Sequence, residues 1–237
     1  MHVLNTQHDL PARPQTDAEL VTRALQGEAA AFEAIMRRHN RLLFRCVRGV
    51  LGDDAEAQDV VQDAYLRAFG SLQAFRADAA LGTWLARIAL NLAFDALRRK
   101  GRSVPLDESH DFDAESRMQH STAFNAPDTA APDAQAERSE MRALLQRAID
   151  SLPPLYRSVF VLRAVEELSV AETAACLQVS EDVVKTRYLR ARALLRDALG
   201  ARAEAHMSQV LAFAGARCDA VVAHVLYTLQ REGRLRP

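Results

Sequence analysis

Apolar residues recur along this chain at steps of three and four, the period that gives a helix one buried stripe. Leu20, Val21, Ala24 and Leu25 mark a first helix, capped by Asp17 and stopped near Gly27. Phe32, Ile35 and Met36 open a second stripe, continued by Leu43, Cys46, Val47 and Val50. Arg38, Arg41, Arg45 and Arg48 fall on its opposite side, a ridge that suits a solvated face or a binding face. A third helix starts at Asp53, which with Glu56 has the spacing of a capping box. Its buried stripe is Ala57, Val60, Val61, Ala64 and Ala68, and Glu56, Asp59 and Asp63 gather on the other side. After a glycine-bracketed loop at 70–82, Thr83 caps a helix from Trp84 to Lys100 that ends at Gly101. Leu85, Ala86, Ala89, Leu90, Ala93, Ala96 and Leu97 point inward there; Trp84, Arg87, Asn91, Asp95 and Arg98 form the outward stripe.

The pattern lapses over 103–138 and resumes with Met141, Leu144, Leu145, Ala148 and Ile149. Pro153 and Pro154 break that helix. The next, Leu155 to Glu167, carries Val159, Leu162 and Val165 inward and Arg157 and Arg163 outward. A short helix from Val170 to Cys176 then turns through Gln178 and Val179 into a longer one. Ser180 is its N-cap, and Glu181 and Asp182 sit where the helix dipole favours negative charge. Val184, Tyr188, Ala191 and Leu195 face inward, and Lys185, Thr186, Leu189, Arg190 and Arg196 face outward. Beyond residue 200, Val210, Phe213, Val221, Val222, Val225, Leu226 and Leu229 predict one or two amphipathic helices. These are expected to pack on the second domain or on a partner.

Composition supports an all-α chain of two small domains. Its 237 residues contain only 9 Gly and 8 Pro. Net charge is −1, so nucleic-acid binding has to come from local patches. Residues 105–140 hold 9 acids against Arg117 and Arg138 alone, which marks a flexible acidic linker. The expected organisation is a loose tail at 1–15, a first domain at 16–104, the linker at 105–138, a second domain at 139–200 and a helical extension at 201–237. Three separated cysteines, no membrane-length apolar run and a polar N-terminus predict a reduced, cytoplasmic protein. His206, Cys218 and His224 match no metal spacing, so no metal or other cofactor is expected.

Three surfaces carry candidate chemistry, and each has a plain alternative. The last helix pair has the geometry of a helix-turn-helix reader, or is a hairpin with a solvated basic face. The Trp84 ridge, beside Phe75 and Arg76, can stack and hydrogen-bond unpaired bases, or Trp84 simply anchors on Phe75. The acidic ridge can dock on a basic partner helix, or is ordinary surface. Glycine-rich phosphate loops, HExxH and GxSxG are missing from the sequence, which speaks against an enzyme and its small-molecule substrate.

DAEAQDVVQDAYLRAF, FRADAALGTWLARIALNLAFDALRRK and LPPLYRSVFVLRAVEELSVAETAACLQVSEDVVKTRYLRARALLR together resemble the extracytoplasmic-function sigma factors of bacterial RNA polymerase, over residues 17–104 and 137–200. The resemblance implies a region 2 bundle and a region 4 helix-turn-helix. It implies that Glu56, Asp59, Gln62 and Asp63 bind core RNA polymerase. Phe75, Arg76, Trp84, Arg87, Asn91, Asp95, Arg98 and Arg99 would hold the opened −10 strand. Ser180, Lys185, Thr186, Leu189 and Arg190 would engage the −35 duplex, with Arg157 and Arg163 on phosphates. The implied partners are polymerase, promoter DNA and an anti-sigma factor, membrane-anchored in the family expectation. The competing assignment is a stand-alone helix-turn-helix regulator, which leaves the first domain's ridge without a task. Gln178 stands where a glycine is usual in the turn, and Asp182 where one often precedes the reading helix.

Overall fold

Helix α1 (Asp17–Leu25) is capped one residue earlier than the pattern predicts. Thr16 accepts from the Glu19 N–H, and the Glu19 carboxylate accepts from the Thr16 N–H at 2.7 Å, a reciprocal capping box. The computed structural model describes residues 15–101, 132–199 and 216–235, and all its elements there are helical. Residues 1–14, most of the linker and residues 200–215, with His206, Val210 and Phe213, lie outside the described residues.

Helix α2 (Ala29–Leu51) runs 23 residues, about 35 Å at 1.5 Å per residue, and ends at Gly52 in the left-handed region (φ 77°). Helices α3 (Asp54–Gly70) and α4 (Leu81–Arg99) pack on it and on each other, and α1 closes one end. Apart from exposed Leu25 and half-buried Val60 and Ala96, the expected stripes are the core, extended by Tyr65 and Phe69, which stack at 5.6 Å. Asp53 does accept from the Glu56 N–H, but the Glu56 carboxylate pairs with Lys100 instead of completing a box. Helix α4 begins at Leu81, so Thr83 is not a cap: it is buried in the first turn, where the second lobe packs over it.

The second lobe comprises α5 (Pro132–Ser151), α6 (Pro154–Phe160), α7 (Val170–Leu177) and α8 (Glu181–Leu199). Helix α5 starts inside the stretch expected as linker, with proline at its first position, where the missing N–H costs nothing. Helix α6 runs into a wide turn of π-helix, Val161–Val165, and stops short of Glu167, which has φ 55°. Helix α7 opens with a capping box of Ser169 and Glu172. The turn into α8 passes through Gln178 at φ 56°, the left-handed conformation that explains why glycine is usual there. Val184, Ala191 and Leu195 are buried as expected.

The C-terminal helix α9 (Ala216–Arg231) corrects an expectation. It packs on α2 and α3 of the first lobe, not on the second lobe. Val221, Val222, Val225 and Leu229 enter the first lobe's core, while Asp219 pairs with Arg37 at 2.8 Å and Arg217 with Asp54 at 2.6 Å. The reason is supply of apolar surface: the groove between α2 and α3 is open to a further helix, and the charged edges of α9 fit its rims. Leu229→Ala should therefore lower stability by about 2–3 kcal/mol, with hydrogen exchange accelerated in α3 rather than in α8. Acceleration confined to α8 would place the tail elsewhere.

Candidate nucleic-acid interface

The acidic ridge of α3 survives folding only in part. Asp59 and Asp63 are exposed, Gln62 is half-buried, and Glu56 is tied to Lys100 across to the end of α4. Asp54, one turn earlier, is taken up by Arg48 and Arg217, each at 2.6 Å. Burial opposes its charge, but the two guanidiniums outweigh that and hold its carboxyl below the usual range. Asp59 and Asp63 thus carry the open negative charge of α3, a helix on which α9 also packs.

Helix α4 presents its outward stripe as the spacing predicts. Arg87, Asn91, Arg98 and Arg99 are exposed, Trp84 and Asp95 half-buried, and Asp95 accepts from Arg98. The Trp84 and Phe75 rings lie 5.4 Å apart, tilted by 55°. The indole rests on Phe75 while part of it stays open on the ridge that carries the arginines. The following stretch, Arg76 to Ala80, is exposed, with Ala77 in the left-handed region (φ 58°). Aromatic, amide and guanidinium groups on one open ridge can stack and hydrogen-bond unpaired bases.

On α8, Ser180 Oγ accepts from the Val183 N–H at 3.3 Å, which fixes the start of the helix. Thr186 and Leu189 are exposed, Lys185 is exposed and paired with Asp182 at 3.1 Å, and Arg190 is half-buried. The face is long and unobstructed enough to enter a major groove.

Arg157 departs from expectation, and Arg163 is half-buried. Arg157 is buried: Nε donates to the Gly49 carbonyl at 2.6 Å, Nη2 to Val50 at 2.9 Å and Nη1 to Asp150 at 2.7 Å. Arg163 lies 5.7 Å over the Tyr188 ring and donates to the Leu168 carbonyl. The Arg157 guanidinium is thus not available to a phosphate in this arrangement. Arg45 and Arg48, half of the basic ridge of α2, are likewise neither solvated nor open to a ligand. They pair with Glu166 and Asp150 of the second lobe. Nothing in the hydrophobic period distinguishes them from Arg41, which stays exposed.

Two lobes, one bearing an open aromatic ridge and one a helix-turn-helix, define a nucleic-acid-binding protein of the transcription machinery's architecture. Residues 35–103 match the model of sigma-70 region 2, and residues 142–195 match that of sigma-70 region 4. The ECF RNA polymerase sigma factor SigM of Mycobacterium tuberculosis is 35% identical over 188 residues, covering 78% of this chain and 86% of the relative. The RNA polymerase sigma-H factor of Pseudomonas aeruginosa is 32% identical over 185 residues, covering 78% and 94%. The solved structure of CnrH in complex with the cytosolic domain of CnrY superposes with a TM-score of 0.53 at 27% identity, covering 79% of this chain and 99% of that one. The chain belongs to the sigma-70 family, in its extracytoplasmic-function class.

Trp84 is the single tryptophan and so reports on its own ridge. Phe75→Ala should shift its fluorescence to the red by opening the supported side of the indole. An unchanged emission maximum would mean the two rings do not rest on each other in solution.

Proposed function

We propose that this chain is an initiation subunit that binds core RNA polymerase, reads the −35 and −10 promoter elements and promotes strand opening. The observation that carries this is the coexistence of two chemically different DNA surfaces on separate lobes. The α8 face, with Lys185, Thr186, Leu189 and Arg190, suits paired DNA. The α4 ridge, with Trp84, Arg87, Asn91 and Arg98 beside Phe75 and Arg76, suits unpaired bases. Unpairing and unstacking a base costs a few kcal/mol, and stacking on an aromatic ring returns about 1–3 kcal/mol per base. Capture of the separated strand can therefore offset its melting.

Glu56, Asp59, Gln62 and Asp63 form the polymerase-docking edge, dominated by the two exposed aspartates. Asp95 and Arg99 flank the −10 ridge, and Ser180 positions the reading helix. The polymerase makes the RNA, and this chain performs no covalent step. An anti-sigma protein is the expected restraining partner, by analogy with CnrH held by the cytosolic domain of CnrY. Among the described residues no helix is long and apolar enough to cross a membrane, which accords with work in the cytoplasm alongside the polymerase.

Run-off transcription with sigma-free core polymerase tests the proposal directly: the chain should direct promoter-specific transcripts, and a stand-alone regulator would give none. Asp59→Lys with Asp63→Lys should abolish co-purification with core while leaving helix content intact; normal co-purification would reduce the ridge to plain surface. Lys185→Ala should weaken binding to the upstream element by about 1–3 kcal/mol if the amine reaches a guanine edge, and an unchanged promoter profile would remove it from the reading set.

A further inference from the structure

Of the chain's three cysteines, Cys46 and Cys176 are buried and Cys218 is half-buried. Burial pushes the Cys46 thiol well up and the Cys176 thiol up to about 12, so both stay protonated and poorly nucleophilic. Cys218 differs in access and in partners. It is the third residue of α9, and its neighbours fix that turn: Arg217 pairs with Asp54 of α3, and Asp219 with Arg37 of α2. The Cys218 sulfur accepts from Nδ2 of Asn40 on α2 at 3.0 Å. The buried hydroxyl of Tyr65 on α3 lies near enough to feel charge on that sulfur. Asn40 is only 1% exposed, yet its Oδ1 has no hydrogen-bond partner. A buried acceptor without a donor is costly, and it marks a place where a donor belongs. A thiol S–H supplies one only weakly; a sulfenic acid carries a full O–H.

We propose that Cys218 is a modification site for hydroperoxides and that Asn40 is its positioning residue. The amide Nδ2 steadies the attacking sulfur, and Oδ1 accepts from the O–H of the sulfenic acid that forms. The Cys218 sulfur attacks, as thiolate, one oxygen of the peroxide. The S–O bond forms, the O–O bond breaks, and its electron pair leaves with the second oxygen. That oxygen takes up a proton and departs as water, or as an alcohol from an organic peroxide. Sulfur is oxidised by two electrons and the peroxide is reduced by two. The product is neutral and brings the missing donor to Oδ1. A second oxidation would instead leave a sulfinate, a fixed negative charge beside a buried amide that offers it one side-chain donor group. The site therefore suits the first step and resists the next. Condensation to a disulfide with Cys46 is out of reach: it is buried and lies six residues beyond Asn40 on α2, about 9 Å along the axis at 1.5 Å per residue.

The reduced full chain, treated with hydrogen peroxide in the presence of dimedone and mapped by peptide mass spectrometry, tests this. Cys218 should carry the dimedone adduct while Cys46 and Cys176 stay free thiols. Without dimedone, the Cys218 peptide should accumulate one added oxygen before two. Asn40→Ala removes both arms of the amide, so the single-oxygen form should fall several-fold relative to the double. A merely structural Asn40 predicts something else: a loosened α9 would speed both peroxide attack and alkylation of Cys218 by iodoacetamide, with the ratio of the two forms unchanged. Absence of an adduct on Cys218 overturns the proposal, as do adducts on all three cysteines at equal rates. A wild-type ratio in Asn40→Ala overturns the role of Asn40. Circular dichroism checks that this variant stays helical; if it unfolds, site mapping and the order of oxygen addition in the wild-type chain still decide.

Discussion

Every part of the molecule leans on helix α2. Its apolar stripe is wide enough to serve α3 and α4 on one side and α9 on another, while the second lobe closes on its C-terminal turn. A helix that meets neighbours nearly all round loses the solvent that would satisfy its terminal carbonyls. The guanidinium of Arg157 makes good that loss at Gly49 and Val50. The seam between the lobes is thus the place where burial and backbone satisfaction have to be solved together.

The two surfaces proposed to face DNA follow different physical rules. Helix α8 is a polar face on a rigid cylinder, capped by Ser180 and backed by Val184, Ala191 and Leu195, and its width suits a groove. The α4 ridge offers a ring already supported on one side by Phe75, which lowers the entropy lost when a base stacks on the other. A paired target asks for shape and charge, an unpaired one for a flat apolar face with hydrogen-bonding neighbours. Holding both on one chain is what a promoter requires.

Helix α9 makes the tail part of the first lobe. It lies along α3, takes Asp54 out of the acidic edge through Arg217, and shares the first lobe's core. The open ridge of α4 belongs to a helix that α9 does not line. The tail is therefore a structural member of the first lobe.

The helices, most of their inward residues and the outward stripes of α4 and α8 were legible in the sequence because helical period is local. Ser180 caps its helix as read, within three residues of itself, whereas Thr16 caps α1 in place of the neighbouring Asp17. Trp84, Asn91 and Lys185 show outward because they share a face, at steps of three and four, with polar residues such as Arg87, Asp95 and Asp182. What depends on residues a hundred positions apart was not legible: that Arg157, Arg45 and Arg48 turn from surface cations into seam contacts, that Thr83 is buried instead of capping, and that α9 joins the first lobe. An arginine's period says which side of its helix it occupies, but only the tertiary structure decides whether water, a nucleic acid or another lobe waits on that side.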